Sequence, residues 1–286
     1  PMSIEIEGYE ENVVDVNLYG GELFELQTST WRFLPLEVRN GFWNMALDEA
    51  ILQSVIEKKA SNTLRLYKWK PSTASIGRNQ SLSAEIDISF TREKKFDVVR
   101  RITGGGAVFH DENREITYSI ICPIKFLENL GAKKVIEQFE IITQGIIAGL
   151  TIFGLKPEKA LIHCPAILLE GKKFSGNAQV RKKGYILQHG TILLELEPDL
   201  MYLVLKAPKN IGKSRMVKSV KAKCGGIKNQ IKNYDEKKLV NSLKRGFGIT
   251  FGIEFEEDTF YDNEIKLAEK LVKEKYSNIE WLNKYE

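Results

Sequence analysis

The sequence predicts an α+β fold, a central mixed or antiparallel sheet with helices packed on it. Three observations lead there. Strand-like segments occur in adjacent pairs instead of alternating strictly with helices. Long stretches of helical periodicity stand early, in the middle and at the end of the chain. Finally, 43% of the 286 residues are hydrophobic and 28% are charged, enough for a substantial core and too apolar for global disorder.

The elements follow in order. Residues 1–28 are acidic and read as an N-terminal extension of unassigned role, with a strand-like alternation at Val13–Leu18 that could form a hairpin about Gly20-Gly21. The main domain spans 29–286. A helix opens at Trp43, because Met45, Leu47, Ile51, Leu52, Val55 and Ile56 recur near helical spacing. Thr63–Trp69 alternates like a strand and stops at Pro71, and Thr73–Ile76 is a second strand ended by Gly77. Phe96–Ile102 reads as a strand entering a glycine triplet, Ala107–Phe109 follows, and Glu115–Cys122 is another strand. A long helix is expected from Lys134 to Phe153, ended by Gly154. Ile167–Leu169 and Lys173-Phe174 flank a hairpin turn at Glu170-Gly171-Lys172, and Tyr185–Leu196 is a long strand. Helices over Glu236–Phe247 and Asn263–Tyr276 close the chain.

Charge and cysteine usage bound the function. The net charge of +4 is mild and suits anionic ligands or an acidic partner, not nucleic acid, which calls for dense basic stripes. The most basic stretch, Lys206–Lys223, has little aromatic content and reads as solvated surface. Cys122, Cys164 and Cys224 are far apart, without disulfide or metal-ligand spacing, so no metal site is expected. A reducing, cytoplasmic setting follows. No signal-peptide core is visible, and no apolar run is read as long enough to span a bilayer.

Three segments carry chemistry. The first is Arg100-Arg101-Ile102-Thr103-Gly104-Gly105-Gly106-Ala107-Val108-Phe109-His110-Asp111. Its glycines let backbone amides approach a phosphate, and its arginines offer bidentate donors to phosphate oxygens. It is neither a Walker loop nor a dinucleotide fingerprint. In the second, Lys173 enters a strand ahead of Ser175-Gly176-Asn177-Ala178-Gln179, where an ammonium could neutralise developing charge; a turn with solvated lysines is the simpler reading. The third is Gln188-His189-Gly190-Thr191, whose histidine reads first as a satisfied core residue and second as a site residue.

Together with Asn44-Met45-Ala46-Leu47-Asp48-Glu49 and Ile76-Gly77-Arg78-Asn79-Gln80, these segments resemble the biotin/lipoate protein ligase family, in its lipoate-protein ligase A branch, from about Trp31 to the C-terminus. The resemblance implies a catalytic domain related to class II aminoacyl-tRNA synthetases, ending without the accessory domain that many members carry. It implies ATP and Mg²⁺ as cofactors and lipoate or octanoate as substrate. By resemblance, Arg101, Gly104, Gly105, Gly106, Ala107, Val108, Phe109, His110, Asp111 and Lys173 would hold nucleotide or acyl adenylate. Arg78, Ser175, Gly176, His189, Gly190 and Thr191 would join Lys173 on the acyl substrate, and Lys173 is the expected catalytic residue. The expected reaction is ATP-dependent: acyl-AMP forms, and a lysine of a lipoyl carrier takes the acyl group. Carriers of this kind are the glycine cleavage H protein and 2-oxoacid dehydrogenase E2, with a separate accessory polypeptide as a further partner; nucleic acid and membrane are not expected partners.

One alternative stands beside this. Where such ligases carry an Asn-Asp pair, this chain has His163-Cys164-Pro165-Ala166. Cys164 could serve an octanoyl or lipoyl transferase that needs no ATP, its thiolate taking the acyl group from one carrier and passing it to another. Lys173 could depress its pKa.

Overall fold

The computed structural model describes residues 30–160, 166–208 and 210–286. The alternation at Val13–Leu18 and the alternative nucleophile Cys164 lie outside them. The architecture is the α+β arrangement expected from sequence. A six-stranded sheet runs in the order Asn177–Lys182, Tyr185–Leu193, Glu115–Pro123, Thr63–Trp69, Thr30–Arg39 and Glu254–Glu257. Its first four strands pair antiparallel and its last three pair parallel, so the sheet is mixed. Two three-stranded sheets flank it. One joins Asp97–Arg100, Thr73–Ile76 and Val108–His110, and the other joins Pro157–Ala160, Ala166–Leu169 and Lys172–Ser175.

Helices cover both faces. Val135–Phe153 and Glu236–Phe251 pack on one face, crossing closely where Gly145, Gly149 and Gly246 leave no room for a Cβ. Val135–Phe153 has the length and hydropathy of a membrane span, so an apolar run of that size does exist, against the sequence reading. Its Ile142, Ile146, Leu150 and Phe153 are buried in the main hydrophobic core. Gly41–Ile56 and Asp262–Leu271 cover the other face. Gly41–Ile56 is buried on nearly every side, which is why it shows no clean amphipathic stripe and carries polar Asn44 and Asp48 inward.

Thus each central strand is covered on both faces, and its alternation separates two environments. Leu64 and Leu66 enter the main core, while Tyr67 and Trp69 join the cluster under Gly41–Ile56. Ile116, Tyr118 and Ile120 face the core, while Glu115, Thr117 and Ser119 are buried polar residues of the second face. The site is built on that second face.

Several elements depart from the sequence reading. Thr30–Arg39, Pro157–Ala160, Asn177–Lys182 and Glu254–Glu257 are strands that periodicity did not disclose, and Pro198–Val204 and Lys213–Lys223 are helices. Tyr185–Leu193 ends three residues early, and Glu236–Phe251 continues four residues further than expected.

Candidate active site

Asp48 is the hub of the buried polar face. It accepts hydrogen bonds from Arg65 (2.8 Å), Ser119 (2.9 Å), the Tyr67 hydroxyl (3.0 Å) and His189 Nδ1 (3.0 Å). Burial alone would raise its pKa, yet the His189 hydrogen bond and the Arg65 charge hold it below the usual carboxylate value. Asn44, one helical turn earlier, accepts from Arg65 through its side chain at 2.7 Å. Asn44 and Asp48 of the Asn44–Glu49 motif therefore anchor the helix to the sheet.

His189 extends this hub. Burial pushes its pKa below the ordinary 6.5, against the pull of Asp48, so the ring is neutral near pH 7. Nδ1–H donates to Asp48, leaving Nε2 to accept from the Thr103 hydroxyl at 2.7 Å. Thr103 stands at the root of the glycine loop, so His189 positions that loop. A pH dependence follows. The unfolded chain takes up this proton first as pH falls, so the stability that neutral His189 contributes is present above about pH 6.5 and lost below it. We expect the urea midpoint to drop between pH 7.5 and 5.5, and His189→Gln to flatten that slope; an unchanged slope would remove His189 as its source.

A second acid–histidine pair lies opposite. Glu115 Oε1 meets His110 Nδ1 at 2.7 Å, and His110 Nε2 meets Ser75 Oγ at 2.9 Å. Trp69 stacks on the His110 ring at 4.0 Å. Arg101 completes the chain. Its terminal nitrogens donate to Ser75 Oγ, to the Ser75 carbonyl and to the carbonyls of Gly104 (2.8 Å) and Gly106 (2.6 Å). Burial lowers its pKa to about 10, so it stays charged at neutral pH. Arg101 thus spends its terminal donors on holding the glycine loop closed. Gly77 explains the neighbouring motif: a Cβ there would lie 2.1 Å from the Gly105 carbonyl oxygen, so only glycine allows the loop to seat.

These groups enclose a cavity of about 280 Å³. It is slightly smaller than the roughly 300–1,000 Å³ typical of ligand pockets, a size suited to a slim molecule. Its buried lining includes Met45, Tyr67 and Trp69 together with Ser75, Thr117, His110 and His189, and its rim includes exposed Lys173, Gly105 and Gly106. Lys173 is held from behind, because its carbonyl accepts from the Gly225 N–H at 3.1 Å and its strand bridges to Cys224.

Of the residues expected from sequence, Arg101, Gly105, Gly106, Ala107, Val108, His110, Lys173, Gly176, His189, Gly190 and Thr191 line this cavity. Arg78, Gly104, Phe109, Asp111 and Ser175 do not. Phe109 alternates away from Val108 and His110 into a separate core against Phe96. Asp111 pairs with Arg114 at 2.7 Å, and Arg78 is exposed while its backbone N–H binds the Thr103 carbonyl. Met45, Tyr67, Trp69, Ser75 and Thr117 were not singled out from sequence as site residues. The one available signal was an aromatic and polar face, Arg65-Tyr67-Trp69, alternating with Leu64 and Leu66.

The profile of the lipoyl protein ligase A/B catalytic domain matches residues 40–248. The octanoyltransferase LipM of Brevibacillus brevis is 35% identical, over 88% of this chain and 98% of its own length. That of Bacillus subtilis is 32% identical over 90% and 99%. The bipartite lipoate protein ligase of an archaeal lipoylation system from Thermoplasma acidophilum superposes with a TM-score of 0.78 at 26% identity, covering 91% of this chain and 98% of that one. A lipoate-protein ligase A solved with ATP gives 0.76 at 25%, over 90% and 100%. The relatives named octanoyltransferases overturn the expected ATP-dependent ligase. ATP, Mg²⁺ and the acyl adenylate fall as cofactors and intermediate.

Proposed function

Because this chain belongs to the lipoyl protein ligase A/B catalytic-domain family, we propose that it is an octanoyltransferase, moving octanoate from a thioester donor to a lysine of a lipoyl carrier protein. The observation that carries this reading is the small, largely apolar cavity with Lys173 at its rim, in a chain similar along most of its length to octanoyltransferases. A straight acyl chain fits between Met45, Tyr67 and Trp69, with its carbonyl near Lys173.

In this reading the Cys164 thiolate attacks the donor carbonyl. A new C–S bond forms, and the carrier thiolate leaves and takes up a proton. The acceptor amine then attacks the enzyme thioester, an amide forms, and Cys164 departs as thiolate while the amine loses its proton to solvent. The Lys173 ammonium stabilises the oxyanion of each tetrahedral intermediate. The cavity walls shield the bound acyl chain from water. His189 and Arg101 keep the glycine-loop wall in place and take no proton from substrate.

The test omits ATP. The purified chain, given an octanoyl-carrier thioester and an apo lipoyl carrier, is expected to yield the octanoylated lysine; a strict need for ATP would overturn the proposal. Lys173→Ala is expected to slow transfer by about 10²–10³-fold. Lys173 is exposed, so the melting temperature should hold. Near-normal turnover would take Lys173 out of the chemistry.

A further inference from the structure

We propose that the basic helix Lys213–Lys223 is the docking surface for the carrier that donates octanoate as a thioester, and that the carrier face it receives is acidic. The proposal rests on the transferase reading above. The helix holds Lys213, Arg215, Lys218, Lys221 and Lys223 and no acidic residue, in a chain whose whole net charge is only +4. Val217 is buried and Met216 and Val220 are partly buried, which turns Arg215 and Lys218 outward. Lys221 pairs with Asp199 at 2.7 Å. Lys213, Arg215, Lys218 and Lys223 form no ion pair among the described residues.

Uncompensated like charge is unfavourable for a helix. Arg215 and Lys218, and Lys218 and Lys221, are spaced i,i+3, where like charges repel, and of these three only Lys221 has a carboxylate partner, Asp199, among the described residues. The placement supplies the purpose. The helix ends at Cys224, which bridges to Lys173, so its last turn abuts the strand that carries the rim lysine. At about 1.5 Å per residue the basic face is on the order of 16 Å long. An acidic carrier lying on it would present its modified arm at the rim of the cavity. Surface charge of this kind speeds encounter and sets orientation, and it suits a carrier that must leave after each transfer. The segment lacks the interleaved aromatics that stack nucleic acid bases.

The test compares the full chain with its Lys213→Glu/Arg215→Glu/Lys218→Glu variant. The probes are the free-thiol form of a carrier domain of net negative charge, for affinity, and the octanoyl thioester of N-acetylcysteamine, for acylation. Carrier affinity, measured by titration at several salt concentrations, is expected to fall about tenfold in the variant and to lose most of its salt dependence, as for the loss of several exposed pairs. Acylation by the small thioester is expected to match the unaltered chain. A Lys213→Gln/Arg215→Gln/Lys218→Gln variant repeats the comparison without introducing new charge. Equal carrier affinity and equal salt dependence in the variants would overturn the proposal. Affinity is read without turnover, so a failure of the transferase activity itself would show separately.

Discussion

Cys164→Ala is expected to lower octanoyl transfer by at least about 10⁴-fold, the scale seen when a covalent nucleophile is removed. The other two thiols are poorly suited to that step. Cys122 is fully buried in the main core, and burial pushes its thiol far above the usual value. Cys224 is nearer the site, but burial raises its pKa too, with Lys173 and Lys223 pulling weakly the other way. The sequence places Cys164 two residues before Ala166, whose strand pairs with the one carrying Lys173 and Ser175. Intact mass measured after incubation with an octanoyl thioester reads the result directly. The unaltered chain and Cys224→Ala should carry one octanoyl group, and Cys164→Ala none. An adduct that maps to Cys224 would reassign the nucleophile.

Asp48→Ala is expected to cost about 3–5 kcal/mol of stability, because it strands buried charge. Arg65 would keep its guanidinium fully buried with only a 3.3 Å contact to Glu37 as an ion pair, and Tyr67, Ser119 and His189 would each lose an acceptor. In a domain of this size that is a fall in melting temperature of roughly 10 °C. Asp48→Asn keeps the shape and should lose less. A change under about 1 kcal/mol for Asp48→Ala in urea titration would show that the hub is not what ties Gly41–Ile56 to the sheet.

Gly77 seats the Gly105 carbonyl, and Arg101 closes the loop by binding Gly104 and Gly106. Arg101, Gly105 and Gly106 of this loop also line the cavity. A scaffold of that kind serves an adenylating enzyme and a thioester enzyme alike, so the motif alone did not separate them.

The sequence by itself determined the element types wherever local chemistry dominates: the helix ended by Gly154 in a left-handed conformation, the Thr63–Trp69 strand stopped before Pro71, and the hairpin turn at Glu170-Gly171, where both residues have positive φ. It also singled out Arg101, Gly105, Gly106, Lys173 and His189, which line the cavity. Tertiary structure alone decided the rest. Thr30–Arg39 is a strand because Thr63–Trp69 and the distant Glu254–Glu257 pair with it. Phe109 left the site because strand alternation turned it away from Val108 and His110, and Met45, Tyr67 and Trp69 became part of the cavity lining because a helix and a strand far apart in sequence met there. Periodicity along a chain reports which face a residue shares with its neighbours; only contacts between distant segments fix what that face meets.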